Sequence, residues 1–411
     1  MQFNLRIDGE RLWRSLMEMA EIGATPKGGV RRLALSDEDK LGRDLFVRWC
    51  REAGLAVEVD AMGNLFARRT GRDPQRSAVL MGSHLDSQPT GGRFDGVYGV
   101  LAALEVVRTL NERGVETDAP LEIVSWTNEE GARFAPAMLG SGVYAGVFDL
   151  DYGHGRHDAD GATVGAELTR IGYRGEAPLG GRSFAAYLEP HIEQGPILEA
   201  EGATVGVVTG GQGTAWYDVT VEGAEAHAGP TPIEMRRDAL VGAAEMVLAI
   251  RAIATERAPD GRSTVGELGI EPGSRNTIPS RVRFTVDLRH PERAVMETMA
   301  AELHARVAAI AAANRLEADV TEVWFSPPVA FDADLVAAVR AGAERCGYRH
   351  RDIVSGAGHD AFYLNRVCPT AMIFVPCKDG LSHNEAESAE AADLEAGCNV
   401  LLHAALARAI D

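Results

Sequence analysis

Two adjacent glutamates, Glu129 and Glu130, closely follow an apolar run that has the pattern of a buried strand, Leu121–Thr127. Gly131 breaks the chain just after the pair. Neighbouring side chains at the end of a strand point in different directions, so one carboxylate could hold a cation while the other moves a proton. A solvated acidic loop would carry the same two residues. The pair alone therefore leaves a catalytic and a structural interpretation open.

Four further segments carry side chains of metal-ligand type, each just past an apolar run or beside glycines. In chain order these side chains are His84, Asp95, His191 and His383. A mixture of imidazoles and carboxylates suits zinc, manganese, cobalt or nickel better than a thiolate site does. A lone histidine is more often a capping or surface residue than a ligand, so no single one of these residues predicts a metal site.

Taken together, these residues form a pattern that resembles a known family. The ordered set is His84, Asp95, Glu129, Glu130, His191 and His383. It is similar to the set carried by the hydantoinase/carbamoylase amidases, a branch of the dinuclear metallopeptidases and aminoacylases, and the resemblance runs over nearly the whole chain. Its most specific stretches are residues 82–99, 126–146, 189–195, 226–232, 276–289, 355–360 and 374–387.

The resemblance implies a site for two divalent metal ions, either zinc or else manganese, cobalt or nickel. His84 and His191 would bind one ion each, and Asp95 would bridge the two ions. Glu130 and His383 would complete the two ligand shells.

The same resemblance makes Glu129 the catalytic base, which would take a proton from water and later return it to the leaving nitrogen. Asp86 lies two residues after His84 and is suited to hold the second nitrogen of that imidazole. The alternative role for Asp86 is a strand-end cap.

Substrate contacts also follow from the resemblance. His227 would stabilise the developing oxyanion, while Asn276 and Arg289 would hold a substrate carboxylate. A guanidinium has the right bidentate geometry for that carboxylate, although a sheet-edge salt bridge is the alternative for Arg289. The further expected substrate contacts are Gln194, Gly358 and His359.

The hydrophobic pattern predicts an α/β protein with an inserted domain. The first half alternates strands with helices, which indicates a mostly parallel sheet with its sites at the C-terminal ends of the strands. From about Thr214 to Val323 the order of elements is βαββαβ, the ferredoxin-like unit. We therefore predict a catalytic domain formed by residues 1–212 and 328–411, with an inserted domain at residues 213–327.

The inserted domain is flanked by two segments that have the composition of hinges, Thr209–Gly213 and Ser326–Pro328. The resemblance implies that this domain closes over the substrate as a lid. It also implies that the domain forms the contact of a homodimer, in which His227 could serve the partner's active site.

The charge and the cysteine content of the chain indicate which partners and which cellular compartment to expect. The 411-residue chain carries a formal net charge of −19, which argues against nucleic acid and against an anionic membrane surface as partners. Its five cysteines have an odd count and no CxxC spacing, which fits a reducing compartment. The N-terminus lacks the apolar core of a signal peptide, and no stretch approaches a membrane span. We expect a cytoplasmic protein with a small-molecule substrate.

Three functions are compatible with this pattern. The leading one is hydrolysis of the ureido group of an N-carbamoyl-L-amino acid or N-carbamoyl-β-alanine to the amino acid, ammonia and carbon dioxide. The second is an allantoate or ureidoglycine-type amidohydrolase with the same site. The third is a catalytically silent ligand-binding protein, but such a protein has no need of a base at Glu129.

Overall fold

The computed structural model describes residues 5–410, which form two compact units. The second unit is Gly210–Val329, and the first consists of the described residues on either side of it. The predicted insertion, residues 213–327, falls within the second unit.

The elements are numbered in chain order. The strands are β1 (Ala56–Val59), β2 (Leu65–Arg69), β3 (Ala78–His84), β4 (Leu121–Trp126), β5 (Phe184–Ile192), β6 (Val205–Gly211), β7 (Gly213–Glu222), β8 (Ala226–His227), β9 (Arg262–Thr264), β10 (Leu268–Glu271), β11 (Thr277–Ile278), β12 (Arg281–His290), β13 (Glu317–Ser326), β14 (Val329–Ala330), β15 (His350–Ser355) and β16 (Thr370–Val375). The helices are α1 (Gly9–Ala20), α2 (Asp37–Glu52), α3 (Val97–Glu112), α4 (Leu139–Tyr144), α5 (Leu150–Gly155), α6 (Val164–Ile171), α7 (Ile197–Glu201), α8 (Ala239–Thr255), α9 (Arg293–Ala313), α10 (Ala333–Cys346), α11 (Asp360–Leu364) and α12 (Ala391–Ala409).

The first unit is built on a nine-stranded sheet in the order β1-β2-β4-β3-β5-β16-β6-β14, with β15 paired to β6. Its four central strands, β4, β3, β5 and β16, run parallel, whereas the pairs β1–β2, β2–β4 and β16–β6 are antiparallel. The strands β3, β4 and β16 are buried along their whole length, as expected where helices such as α3 and α12 cover a parallel sheet. The predicted α/β class with a mostly parallel central sheet is confirmed.

The main elements of the second unit follow the order β7-α8-β10-β12-α9-β13, and the short strands β8, β9 and β11 lie between them. Its sheet runs β10-β12-β7-β13, and β9 also pairs with β12. The alternating residues of β12, from Val282 to Leu288, pack with Met246 of α8 and Leu303 of α9 into one apolar core. The predicted ferredoxin-like βαββαβ unit is therefore confirmed.

Among the described helices, none combines the length and the apolar character that crossing a membrane requires.

Candidate metal centre and active site

Two histidines lie at the C-terminal ends of neighbouring parallel strands. His84 is the last residue of β3, and His191 is the penultimate residue of β5. Because β3 and β5 pair in parallel, both imidazoles reach the same edge of the sheet. The Nδ1 atom of His84 lies 2.9 Å from the main-chain oxygen of Asp86, and Nδ1 of His191 lies 2.9 Å from that of Ile192. A carbonyl oxygen only accepts, so each Nδ1 carries the hydrogen and each Nε2 is the atom available to a cation.

The turn that carries Asp95 is possible only with glycine at position 96. Gly96 has φ 65°, in the left-handed region, and a Cβ there would lie 2.3–2.4 Å from the ring of His84. Helix α3 begins at the next residue, so Asp95 is held between the turn and the start of this helix.

Asp95 joins two groups of potential ligands. In the first group, its Oδ1 atom lies 3.6 Å from Nε2 of His84 and 3.1 Å from Nε2 of His191. In the second group, its Oδ2 atom lies 3.5 Å from Nε2 of His383, which in turn lies 3.3 Å from Oε2 of Glu130. Within each group the ligand atoms lie within 4.8 Å of one another.

This grouping differs from one detail of the sequence interpretation. The resemblance assigned His84 and His191 to different metal ions, but the structure gathers them in one group with Asp95. The physical reason is the parallel pairing of β3 with β5, which brings the two imidazoles to the same side of the aspartate. The second group instead draws on two loops, one carrying Glu130 and one carrying His383.

The two carboxylate oxygens of Glu130 have different surroundings. Its Oε2 accepts a hydrogen bond of 2.7 Å from the side-chain amide of Gln88. Its Oε1 is buried and has no hydrogen-bond partner among residues 5–410. A buried carboxylate oxygen that lacks a partner is costly unless a cation or water satisfies it, so this atom fits a role as a metal ligand.

Glu129 is buried beside the first group without belonging to either. Its Oε2 lies 3.4 Å from Nε2 of His84. The loop is held by Asp86, whose two carboxylate oxygens accept hydrogen bonds from the main-chain N–H groups of Glu129 (3.2 Å) and Glu130 (3.3 Å). The carboxylate of Asp86 thus orients the glutamates, and its main-chain oxygen, rather than its side chain, holds His84 at hydrogen-bond distance.

The electrostatics of this cluster favour bound cations. Burial raises the pKa of Glu129 and Glu130 well above the usual value, and repulsion between neighbouring carboxylates adds to the effect. Burial lowers the pKa of His84, but Glu129 and Asp95 outweigh it, so the net shift is strongly upward. Divalent cations placed between these groups would remove the repulsion among the carboxylates. The donor set, imidazole nitrogens with carboxylate oxygens, is suited to such ions.

Of the predicted substrate contacts in the first unit, Gln194 lies directly at the cluster. Its side-chain amide donates a 2.8 Å hydrogen bond to Oδ2 of Asp95, while its Oε1 is buried and has no hydrogen-bond partner in the described part of the chain. His359 is also buried, with its ring centroid 4.6 Å from that of His191. Burial and the neighbouring His191 lower the pKa of His359 well below the usual value, which keeps it neutral. Gly358 precedes His359 in the chain, and a Cβ atom at position 358 would lie 3.3 Å from the side chain of Met138.

The other predicted substrate residues lie in the second unit. His227 and Asn276 are exposed, and His227 of β8 pairs with Thr277 of β11, the residue after Asn276. Arg289 lies on β12, which is paired on both sides by β7 and β9, and it forms an ion pair of 2.8 Å with Asp287. The position is therefore not a sheet edge. The roles of these three residues toward a substrate stay predictions.

Comparison with known proteins identifies the family. A model of the peptidase family M20/M25/M40 matches residues 80–407. The chain belongs to this family. The hydantoinase/carbamoylase resemblance is confirmed as well: an amidase of that family from Burkholderia multivorans, known from its crystal structure, is 61% identical, with full coverage of both chains and a TM-score of 0.97.

The relatives of this M20 family member include two whose names describe different activities. An N-carbamoyl-L-amino-acid amidohydrolase from Rhizobium meliloti is 49% identical over 403 residues, which is 98% of this chain and 97% of the relative. An allantoate amidohydrolase from Bacillus subtilis is 34% identical, with 93% of each chain covered.

Three polar residues that support the M20 cluster were missed by sequence reasoning. They are Gln88, Ser382 and Glu387. Each lies within or beside a stretch that carries the family resemblance, but none is a metal-ligand type with a spacing that predicts a role. Only the contacts in the folded chain connect them to Glu130 and Asp95.

Proposed function

We propose that this protein hydrolyses the ureido C–N bond of N-carbamoyl-L-amino acids, which yields the amino acid, ammonia and carbon dioxide. The observation that carries the proposal is the pair of ligand groups that share Asp95, with the carboxylate of Glu129 beside them but in neither group. The amidohydrolase from Rhizobium meliloti supports the choice of substrate class.

Five residues would hold two divalent metal ions: His84, His191, Asp95, Glu130 and His383. When bound, such ions supply Lewis-acid chemistry, because they polarise a carbonyl group and lower the pKa of water. The M20 family and the two ligand groups support the use of divalent ions. We propose zinc, with manganese, cobalt or nickel as the alternatives that the same donor atoms accept.

Glu129 would act as general base and then as general acid. Its carboxylate would take a proton from the attacking water at an Oε atom and then deliver that proton to the leaving nitrogen. Burial raises the pKa of Glu129, and a raised pKa makes its carboxylate a stronger base toward the attacking water.

The remaining residues would bind and orient the substrate. Gln194, Gly358 and His359 would contact the ureido acid beside the cluster, and the neutral ring of His359 would offer a hydrogen bond without a competing charge. Arg289 and Asn276 would bind the substrate carboxylate, which gives a chain of net charge −19 the local positive charge that an anionic substrate needs. His227 would stabilise the developing oxyanion.

The proposal is tested by one assay with three substrates. The metal-replete protein is incubated with N-carbamoyl-L-methionine, N-carbamoyl-β-alanine and allantoate, and ammonia release is measured. Faster turnover of the carbamoyl acids is expected, with Glu129→Gln as the inactive control. Turnover of allantoate alone would favour the second candidate, an allantoate-type amidohydrolase. The similarity to the allantoate amidohydrolase from Bacillus subtilis supports this candidate. Binding of these compounds without turnover would favour the silent ligand-binding protein.

A homodimer formed through the second unit is part of the proposal. Strand β13 ends the five-stranded sheet, and its residues Val323 and Trp324 are 56% and 45% exposed. On α8, Val241 and Leu248 are exposed as well. An unpaired strand edge with exposed apolar side chains is suited to pairing with a second copy. We also propose a cytoplasmic location, since all five cysteines are free thiols.

A further inference from the structure

A buried carboxylate lies on the loop that follows His383. The side chain of Glu387 is almost completely buried, and its Oε1 accepts hydrogen bonds from two consecutive main-chain N–H groups, those of Phe94 (2.9 Å) and Asp95 (3.2 Å). Because both main-chain N–H groups donate to the same oxygen, this contact fixes the backbone at Phe94 and Asp95. The glutamate therefore joins the C-terminal loop to the turn that carries the shared ligand.

Ser382 extends this contact to the carboxylate of Asp95. Its hydroxyl lies 3.0 Å from Oε2 of Glu387 and 2.7 Å from Oδ2 of Asp95. Asp95 is thus held at both ends, at its main-chain nitrogen by Glu387 and at its side chain by Ser382. Since Asp95 belongs to both ligand groups, its orientation affects both at once.

The packing of Gly92 gives independent support. A Cβ at position 92 would lie 2.0–2.3 Å from the carboxyl atoms of Glu387, closer than any side chain tolerates. The turn before Asp95 therefore wraps directly over this carboxylate and leaves no room for a larger residue.

Holding a carboxyl group in this place is costly. Burial and the nearby Asp95 raise the pKa of Glu387 to about 7. An apolar residue would avoid that cost, but it would leave the main-chain N–H groups of Phe94 and Asp95 buried and unpaired.

We propose that Glu387 is a positioning residue that sets Asp95 in the orientation that both ligand groups require. The inference rests on the proposed metal-dependent function. The role acts through Asp95, because Glu387 belongs to neither ligand group.

The test compares Glu387→Ala and Glu387→Gln with the wild type. The affinity for Zn²⁺ and Co²⁺ is measured by competition with a chelator, and the absorption spectrum of the Co²⁺ form is recorded. Loss of the acceptor in Glu387→Ala is expected to weaken metal binding roughly 10–100-fold, the usual effect of removing a group that orients a ligand. Gln keeps the acceptor oxygen and can donate to Ser382, so Glu387→Gln is expected to bind metal nearly as the wild type does.

Glu385→Ala is the matched control, because Glu385 lies on the same loop and forms an ion pair of 3.5 Å with the exposed Lys27 instead. It should leave metal affinity and the Co²⁺ spectrum unchanged. A lower melting temperature of Glu387→Ala with wild-type metal affinity would reduce Glu387 to a structural cap and overturn the inference. Equal losses in Glu387→Gln and Glu387→Ala would overturn it as well.

Gly92→Ala provides a second route that removes no hydrogen-bonding group. It is expected to weaken metal binding in the wild type by displacing Glu387, and to add little in the Glu387→Ala background, where the clash is absent. Unchanged metal affinity in Gly92→Ala would contradict the inference. A wild-type protein that binds no divalent cation would refute the proposed function itself, which is a different outcome from any of these.

Discussion

The rings of His84 and His191 lie with their centroids 6.1 Å apart, and both Nε2 atoms face the same oxygen, Oδ1 of Asp95. Two imidazoles that converge on one carboxylate oxygen form a single ligand group. The other oxygen, Oδ2, faces His383. Each oxygen of Asp95 thus serves one group.

This relationship predicts the metal content of three variants. His84→Ala and His191→Ala should weaken the binding of the same ion, because they belong to one ligand group. Asp95→Asn should weaken both ions, because it belongs to both. Metal stoichiometry is measured by elemental analysis after dialysis, with the exposed His157→Ala as the control. Loss of different ions in the two histidine variants would restore the distribution expected from the sequence.

Glu129→Gln should keep the metal ions and lose the chemistry. The substitution preserves the shape of the side chain but removes the base, so kcat should fall on the order of 10²–10⁴-fold. Metal content should stay at the wild-type level, because Glu129 is not a member of either ligand group. Metal loss in Glu129→Gln but not in Glu130→Gln would show that the two roles are reversed.

Metal binding to the metal-free protein should release protons. The pKa values of His84, His191 and Glu130 are raised, so these groups hold protons at a pH where their free counterparts have begun to lose them. Each must lose its proton to bind a cation, so affinity should increase as the pH rises through neutrality and decrease in acid. Calorimetry in buffers of different ionisation enthalpy measures the proton release. An affinity that does not change with pH would contradict the prediction.

Arg289→Lys should weaken binding of the substrate carboxylate. Lysine keeps the charge but loses the bidentate geometry, so KM should rise roughly 10–100-fold, in line with the loss of a charge-assisted hydrogen bond. For a substrate in which an amide replaces the carboxylate, KM should be nearly the same in Arg289→Lys as in the wild type. Arg283→Lys, at an exposed position on the same strand, is the control. Equal effects on both substrates would contradict a role in binding the carboxylate, and the ion pair with Asp287 would then be the structural role of Arg289.

Val323→Lys should produce a monomer if β13 is the dimer edge. A charge on an unpaired strand edge opposes pairing with another strand. Sedimentation velocity measures the oligomeric state, and Leu268→Lys on β10, at the other end of the same sheet, is the control. A dimer that persists in Val323→Lys and dissociates in Leu268→Lys would place the contact at the opposite edge.

The fold of the second unit was predictable because its signal is local. The residues from Val282 to Leu288 alternate apolar and polar along β12, and the helices on either side have the apolar spacing of packed helices. The central strands of the first unit were similarly clear, since a parallel sheet covered by helices is apolar along its strands.

The sequence by itself determined which residue types are available for metal chemistry: His84, Asp95, Glu130, His191 and His383, with Glu129 beside them. Only the tertiary structure decided how they divide. The order of strands, in which β3 lies between β4 and β5, brings His84 to the side of His191. Contacts between distant segments, such as those of Glu387 with the Asp95 turn, depend on how loops meet in space. Spacing along the chain does not predict these contacts. A hydrogen bond depends on the distance between two atoms in space, whatever the number of residues between them.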